Sequence, residues 1–212
     1  MVPVSSLIPP VAQSRHNASP VAWETVEREA LSDHGIFTLY RVRRRHPLRG
    51  QLGDFVVLEA PPWVNIVPLT EEGHVIFIEQ YRHGIDSITL EIPGGMVSPG
   101  EDPRLAAERE CREETGYASE EPAQLLRINY PNPAFLTNVC YSYLWLNCRR
   151  VTEPRWDHHE EIAVRLVPLD EVPHLLRTGV IRHSLVLVAL FSVLCRDITS
   201  DMKGLQGNPW GR

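Results

Sequence analysis

Through the first half of the chain, apolar positions come in short alternations and Val/Ile-rich runs, broken by polar, Gly- or Pro-containing turns. This pattern predicts strands over residues 23–30, 36–45, 54–60, 63–69, 74–81 and 87–92. Thr70-Glu71-Glu72-Gly73 joins two of these runs as a hairpin-like turn. The run at 87–92 enters Pro93-Gly94-Gly95, where regular structure is expected to stop. The pattern then changes. Asp102 offers a side-chain acceptor at an N-cap, and Pro103 suits the first helical position. Residues 105–115 continue without Gly or Pro, and Gly116 suits the left-handed position after a helix. Further strands are expected at 123–129, 139–146 and 162–168, and closing helices at 169–178 and 184–196. Strands in mixed order around helices predict an α/β (α+β) core.

Length and composition narrow the classes. A chain of 212 residues suits one domain with extensions, or two small domains. With 43% apolar and 23% charged residues it is neither disordered nor collagenous. The net charge of −6 argues against nucleic-acid polymers and anionic membranes as partners. The bases are 20 Arg and the single Lys203. The cysteines, Cys111, Cys140, Cys148 and Cys195, form no CxxC pair, which argues against a zinc module and for a reducing compartment. The first 20 residues make a poor signal peptide, with four prolines and no early basic residue. The longest apolar run, 12 residues from Ser184 to Cys195, is shorter than the ~20 a membrane span needs. A soluble, cytoplasmic protein is expected, with mobile tails at 1–20 and 199–212.

The candidate chemistry lies on the helix after the glycines. Glu110, Glu113 and Glu114 stand at i, i+3, i+4 and share one face. Pro103, Ala106 and Ala107 fall on that face, with Glu108, Arg112 and Thr115 roughly opposite. Small residues beside the acids predict that the acidic face is turned toward the protein. Like charges held together and partly buried are unstable unless neutralised. A divalent cation does this, and hard oxygen ligands select Mg²⁺ or Mn²⁺ over zinc.

Gly95, five residues, Glu101, seven residues, then Arg109-Glu110-Cys111-Arg112-Glu113-Glu114-Thr115-Gly116-Tyr117 resembles the Nudix box, G-x5-E-x7-R-E-U-x-E-E-x-G-U. Every fixed residue is present. Cys111 alone departs, standing where the pattern prefers an aliphatic side chain, and Cys behaves as a small hydrophobe. The resemblance implies a Nudix-type α/β/α sandwich with a mixed sheet, formed by residues 61–198, plus N-terminal antiparallel strands at 21–60. It implies metal-dependent hydrolysis of a nucleoside diphosphate joined to another group. Glu110, Glu113 and Glu114 would bind metal with the Gly94 carbonyl, and Glu110 and Glu113 would be catalytic. Gly95, Glu101, Arg109 and Gly116 would be structural, with Arg109 pairing to Glu113 or another acid and Glu101 supporting the loop–helix junction or a metal.

The flanks are similar to ADP-ribose pyrophosphatases and related nucleotide-sugar hydrolases. Glu79-Gln80-Tyr81-Arg82 and Leu90-Glu91-Ile92-Pro93-Gly94-Gly95 precede the box, with Gly94 where many of those enzymes have Ala. Pro133 lies 16 residues after Tyr117, within Asn132-Pro133-Ala134 where Ser-Pro-Gly is usual. The likeness implies that Arg82 contacts the diphosphate and that an acidic loop supplies the general base, here Glu160 or Glu161. His158 and His159, in the same loop, are either metal ligands or surface partners of the neighbouring acids. Trp23 and Trp63 are candidates to stack on the base. A homodimer through residues 21–60 is implied. An ADP-ribose sensor without turnover is the alternative from another class, and an RNA-cap hydrolase lacks a basic patch. Between Glu101 and Glu121 stand eight acids and three arginines, so nearly the whole surplus of acid lies at the expected metal site.

Overall fold

The computed structural model describes residues 19–156, 158 and 160–196. Residues 1–18 and 197–212, with Asp157 and His159, lie outside the described residues, and with them nearly all of the tail expected at 1–20 and the whole of that expected at 199–212. The element order is β1 (Glu24–Asp33), β2 (Thr38–Arg45), β3 (Leu52–Glu59), β4 (Trp63–Thr70), β5 (His74–Arg82), β6 (Ser87–Glu91) and β7 (Gly94–Met96). Then come α1 (Pro103–Thr115), β8 (Tyr117–Ala118), β9 (Gln124–Asn129), β10 (Cys140–Arg150), β11 (Ile162–Pro168), α2 (Val172–Arg177) and α3 (Ser184–Leu194).

Alternation along the central strands builds an α/β/α sandwich. Val64 and Ile66 of β4, Ile76 of β5 and Tyr143 and Trp145 of β10 pack with Ala106, Ala107 and Cys111 of α1. Their neighbours Val67, Leu69, Val75, Phe77, Leu144 and Leu146 face the other way, onto Val172 of α2 and Val186, Ala189, Leu190 and Val193 of α3. Side chains on a strand alternate between faces, so each of these strands feeds both layers. The sheet is mixed: β10 runs parallel to β4, and the other pairings are antiparallel. The first three strands form a separate antiparallel sheet, laced by exposed pairs such as Glu29–Arg41 and Arg43–Asp54. It is joined to the larger sheet where the Leu58 amide donates to the Phe135 carbonyl and the Thr137 amide to the Leu58 carbonyl, at 2.8 and 3.1 Å.

One edge of β4 is shared, and this forks the sheet. β5 pairs with β4 at Leu69, whereas β7 pairs with it at Trp63–Asn65. The chain leaves β6, which is paired to β5, and crosses at Ile92-Pro93 to reach β4 as β7. Regular structure therefore resumes at Gly94, not stopping at the glycines as the sequence suggests. Only Gly fits this edge: a Cβ on Gly94 would lie 2.4 Å from the Val64 carbonyl oxygen.

Other boundaries shift for local reasons. β10 runs on to Arg150 by absorbing a register shift between Trp145 and Cys148, with Asn147 at a left-handed φ of 58°. α2 begins at Val172 rather than 169, because Pro173 suits an initial helical turn and not an interior. Among the described residues, no helix is long and apolar enough to cross a membrane.

Gly94→Ala should cost about 2–3 kcal/mol of unfolding free energy, because backbone must move to admit the methyl. Gly84→Ala, which meets open space, should stay within about 0.5 kcal/mol of the parent in the same urea titration.

Candidate active site

The site is built where β7 meets α1. Asp102 Oδ1 accepts from the amides of Arg104 and Leu105 at 2.9 and 3.3 Å, and so starts the helix as its position predicts. Buried Ala106 and Ala107 add little bulk, so α1 lies close against β4 and β7. Glu114 is 3% exposed, and its Oε2 accepts from the Gly94 amide at 3.0 Å. The Glu110 carboxyl rests against Gly95, where a Cβ would stand 2.5 Å from its carboxyl carbon. Glu113 lies at the rim, its side chain 44% exposed. Two residues expected opposite this face are also turned inward. Thr115 is buried because its hydroxyl donates to the Cys111 carbonyl and accepts from the Tyr117 amide. Glu108 accepts from the Ala123 amide at 2.9 Å.

Arg109 carries the positive charge of this cluster. Its Nε and Nη2 donate to Glu101 at 2.9 and 3.1 Å, and its Nη1 donates to both Glu110 and Glu113 at 2.9 Å. Glu101 also accepts from the Ser98 amide at 3.0 Å, closing the loop before the helix. The Arg109 hydrogen bonds hold the Glu101 carboxyl down to about 2. Burial drives the other two acids the opposite way. Desolvation pushes the Glu110 carboxyl up against the pull of Arg109, and pushes that of Glu114 well up. Glu114 and Glu110 also repel each other, and the charge of Glu160 opposes both. Glu161 is exposed.

Beside Gly94 and Gly95 is a cavity of about 300 Å³ lined by Trp63, Asn65, Arg82, Glu91, Cys140 and His183 among others. Arg82 donates to both oxygens of Glu91 at 2.8 Å, and Thr89 donates to Glu91 Oε1 at 2.5 Å. Burial disfavours the charge on Glu91, but these hydrogen bonds outweigh it and keep the carboxyl below its ordinary value. His183 Nε2 stands 4.0 Å from Glu91. The charge of Glu160 also acts on Arg82.

The remaining candidates fall apart spatially. Trp63 lines this cavity, whereas Trp23 and Pro133 line another, of about 540 Å³, between the N-terminal sheet and the 133–137 loop. Glu91 and His183 carry no assigned role in the sequence reading. An isolated acid between Leu90 and Ile92 in an apolar strand is the signal that marks Glu91. Nothing local marks His183, which reaches the cavity from the N-terminus of α3.

The NUDIX domain matches residues 60–188. The chain belongs to the Nudix family. The ADP-ribose pyrophosphatase of Mycobacterium tuberculosis is 30% identical over 174 residues, which cover 81% of this Nudix chain and 83% of that one. The ADP-ribose pyrophosphatase of Bacillus subtilis is 27% identical, with 70% and 80% covered. The methanol dehydrogenase activator of Bacillus methanolicus is 34% identical over 95 residues, and there this chain spans about half, 51%, of the relative's length. The crystal structure of an ADP compounds hydrolase superposes with a TM-score of 0.73 at 22% identity, covering 84% of this chain and 95% of that one, and so shares the fold. The protein is a Nudix hydrolase.

Gly95→Ala pushes only on the end of the Glu110 side chain. It should cut turnover at least about 10-fold while leaving the urea midpoint near that of the parent. The Glu101 carboxyl titrates below its ordinary value, so its contribution to stability is full above about pH 4.5 and is lost as pH falls toward 2. The stability gap between the parent and Glu101→Gln should therefore be constant from pH 5 to 7 and narrow toward pH 3, measured by urea unfolding at each pH.

Proposed function

We propose that this Nudix hydrolase cleaves the diphosphate of ADP-ribose or a related nucleoside diphosphate sugar, giving a nucleoside monophosphate and a sugar phosphate. The observation that carries the reading is that Glu114 and Glu110 stand against Gly94 and Gly95, beside the Arg82–Glu91 pair that lines the same cavity. The two ADP-ribose pyrophosphatases among the relatives support the substrate class.

The donor chemistry fits a hard divalent cation, Mg²⁺ or Mn²⁺, on Glu110, Glu113 and Glu114 with the Gly94 carbonyl. Burial and mutual repulsion leave Glu110 and Glu114 short of positive charge, which a cation would supply. Among the described residues no three His, Cys, Asp or Glu groups stand as a ready-made metal cluster, and Arg109 spans Glu110 and Glu113. Such a cation would supply positive charge to the diphosphate and make a water easier to deprotonate. The protein's own groups do the rest. Arg82 binds the anionic diphosphate, and buried Glu91 aims its guanidinium. Glu160 takes the proton of the attacking water on a carboxylate oxygen. Arg109, Glu101, Gly95 and Gly116 hold the helix and its loop.

Trp23, Trp63 and Pro133 are proposed to contact the base or sugar. Because Trp23 and Pro133 line a cavity apart from Trp63, they serve a different part of the ligand, or a partner's site. A homodimer through residues 21–60 accords with Val26, Leu31, Leu52, Phe55 and Val56, which stand exposed on the N-terminal sheet. A cytoplasmic enzyme acting on small nucleotides, not on nucleic acid or at a membrane, completes the reading.

With Mg²⁺ and ADP-ribose, AMP and ribose phosphate should appear, and ADP-glucose and GDP-mannose in parallel define the sugar and base. Glu110→Gln, Glu114→Gln and Glu160→Gln should each lower kcat by about 10²-fold or more with far-ultraviolet circular dichroism unchanged. Tight binding of ADP-ribose without product would overturn hydrolysis in favour of sensing.

A further inference from the structure

The carboxylate that holds Arg82 is itself held unevenly. Glu91 is 2% exposed, so both of its oxygens depend on donors from the protein. Oε1 has two, Arg82 Nε at 2.8 Å and the Thr89 hydroxyl at 2.5 Å. Oε2 has one among the described residues, Arg82 Nη2 at 2.8 Å. His183 Nε2 stands 4.0 Å from that same oxygen, within ion-pair reach but too far for a hydrogen bond.

The backbone that delivers His183 is fixed. It leads into α3, whose first turn buries Leu185 and Val186. The His183 carbonyl accepts from the Leu187 amide at 3.0 Å, and Asn65 Nδ2 of β4 donates to the Leu185 carbonyl at 3.3 Å. The ring's Nδ1 is closed off from solvent and has no partner among the described residues. Nε2 is therefore the ring atom left to donate, and it meets Glu91 on the wall of the cavity that Arg82 also lines. One guanidinium edge cannot fully serve two anions. The bond through Nη2 competes with a diphosphate in that cavity, and giving it up would leave Oε2 buried and unpaired.

We infer that His183 is a positioning residue for Arg82, acting through Glu91: as a diphosphate draws Nη2 of Arg82 outward, His183 Nε2 closes on Glu91 Oε2 and replaces the lost donor. Oε1 keeps Arg82 Nε and Thr89, so the guanidinium turns about a retained bond and stays aimed at the cavity. This rests on Arg82 being the diphosphate-binding residue proposed above. The exchange of donors accompanies binding and not the chemical step, so its loss is read in KM and not in kcat.

The test is a double-mutant cycle of His183→Ala with Arg82→Gln. In the parent background His183→Ala should raise KM for ADP-ribose about five- to tenfold with kcat within about twofold. Calorimetry with ADP-ribose in EDTA should show the same weakening of Kd apart from turnover. In the Arg82→Gln background His183→Ala should have no further effect. His183→Gln, whose amide can donate to Oε2, should recover part of the loss. An unchanged KM in His183→Ala, an equal rise in both backgrounds, a loss confined to kcat, or a His183→Gln as impaired as His183→Ala would overturn the positioning role alone. A parental KM in Arg82→Gln would overturn the role of Arg82 and the inference with it. If the parent neither binds nor cleaves ADP-ribose, ADP-glucose or GDP-mannose, the proposed substrate class falls together with the inference. Should His183→Ala unfold, His183→Phe, which fills the space without an N–H, must raise KM alike or the inference falls.

Discussion

Glu101, Glu110 and Glu113 all depend on the guanidinium of Arg109. Burying carboxylates is costly, and repulsion among them adds to the cost. Arg109 offsets it with charged hydrogen bonds on both edges of its planar group, which one ammonium could not make in the same geometry. The same residue joins the glycine loop to the helix through Glu101. Glu114 lies outside this arrangement. The Gly94 amide and the charge of Arg82 favour its ionisation but do not outweigh its burial, so the most buried acid of the helix is the one whose charge is most disfavoured. The helix is thereby both stabilised and left with an unmet demand for positive charge.

The second constraint is the fork at β4. One strand edge serves β5 along one stretch and β7 along another, and the crossing segment brings two glycines under the acidic helix. Side chains at Gly94 or Gly95 would strike the backbone of β4 or the carboxyl of Glu110. The fork also sets Arg82 and Glu91, on the β5–β6 side, next to Gly94 on the β4 side. The diphosphate-binding candidate and the acidic face thus meet across a seam in the sheet, without a long loop to join them.

Much of this was legible from the chain. The N-cap at Asp102, the left-handed cap at Gly116 and the i, i+3, i+4 acids are local features, and local geometry realises them directly. The alternation in β4, β5 and β10 foretells a two-sided core, since both faces of these strands are apolar. Less was legible where a residue's environment comes from a remote segment. Thr115 and Glu108 belong by helical angle to the outer face, yet nearby polar backbone draws both inward. The pairing of β7 is hidden because glycine carries no pattern of its own.

The sequence by itself determined the family, the acidic helix with its caps and the layered α/β/α class, because each rests on short-range spacing and on the period of apolar residues. Tertiary structure alone decided which acids are buried, that Arg82 is held by Glu91, and that Trp23 and Trp63 line different cavities. The reason is physical: burial, ion pairing and cavity walls depend on residues that are tens of positions apart in the chain. No local window contains both partners.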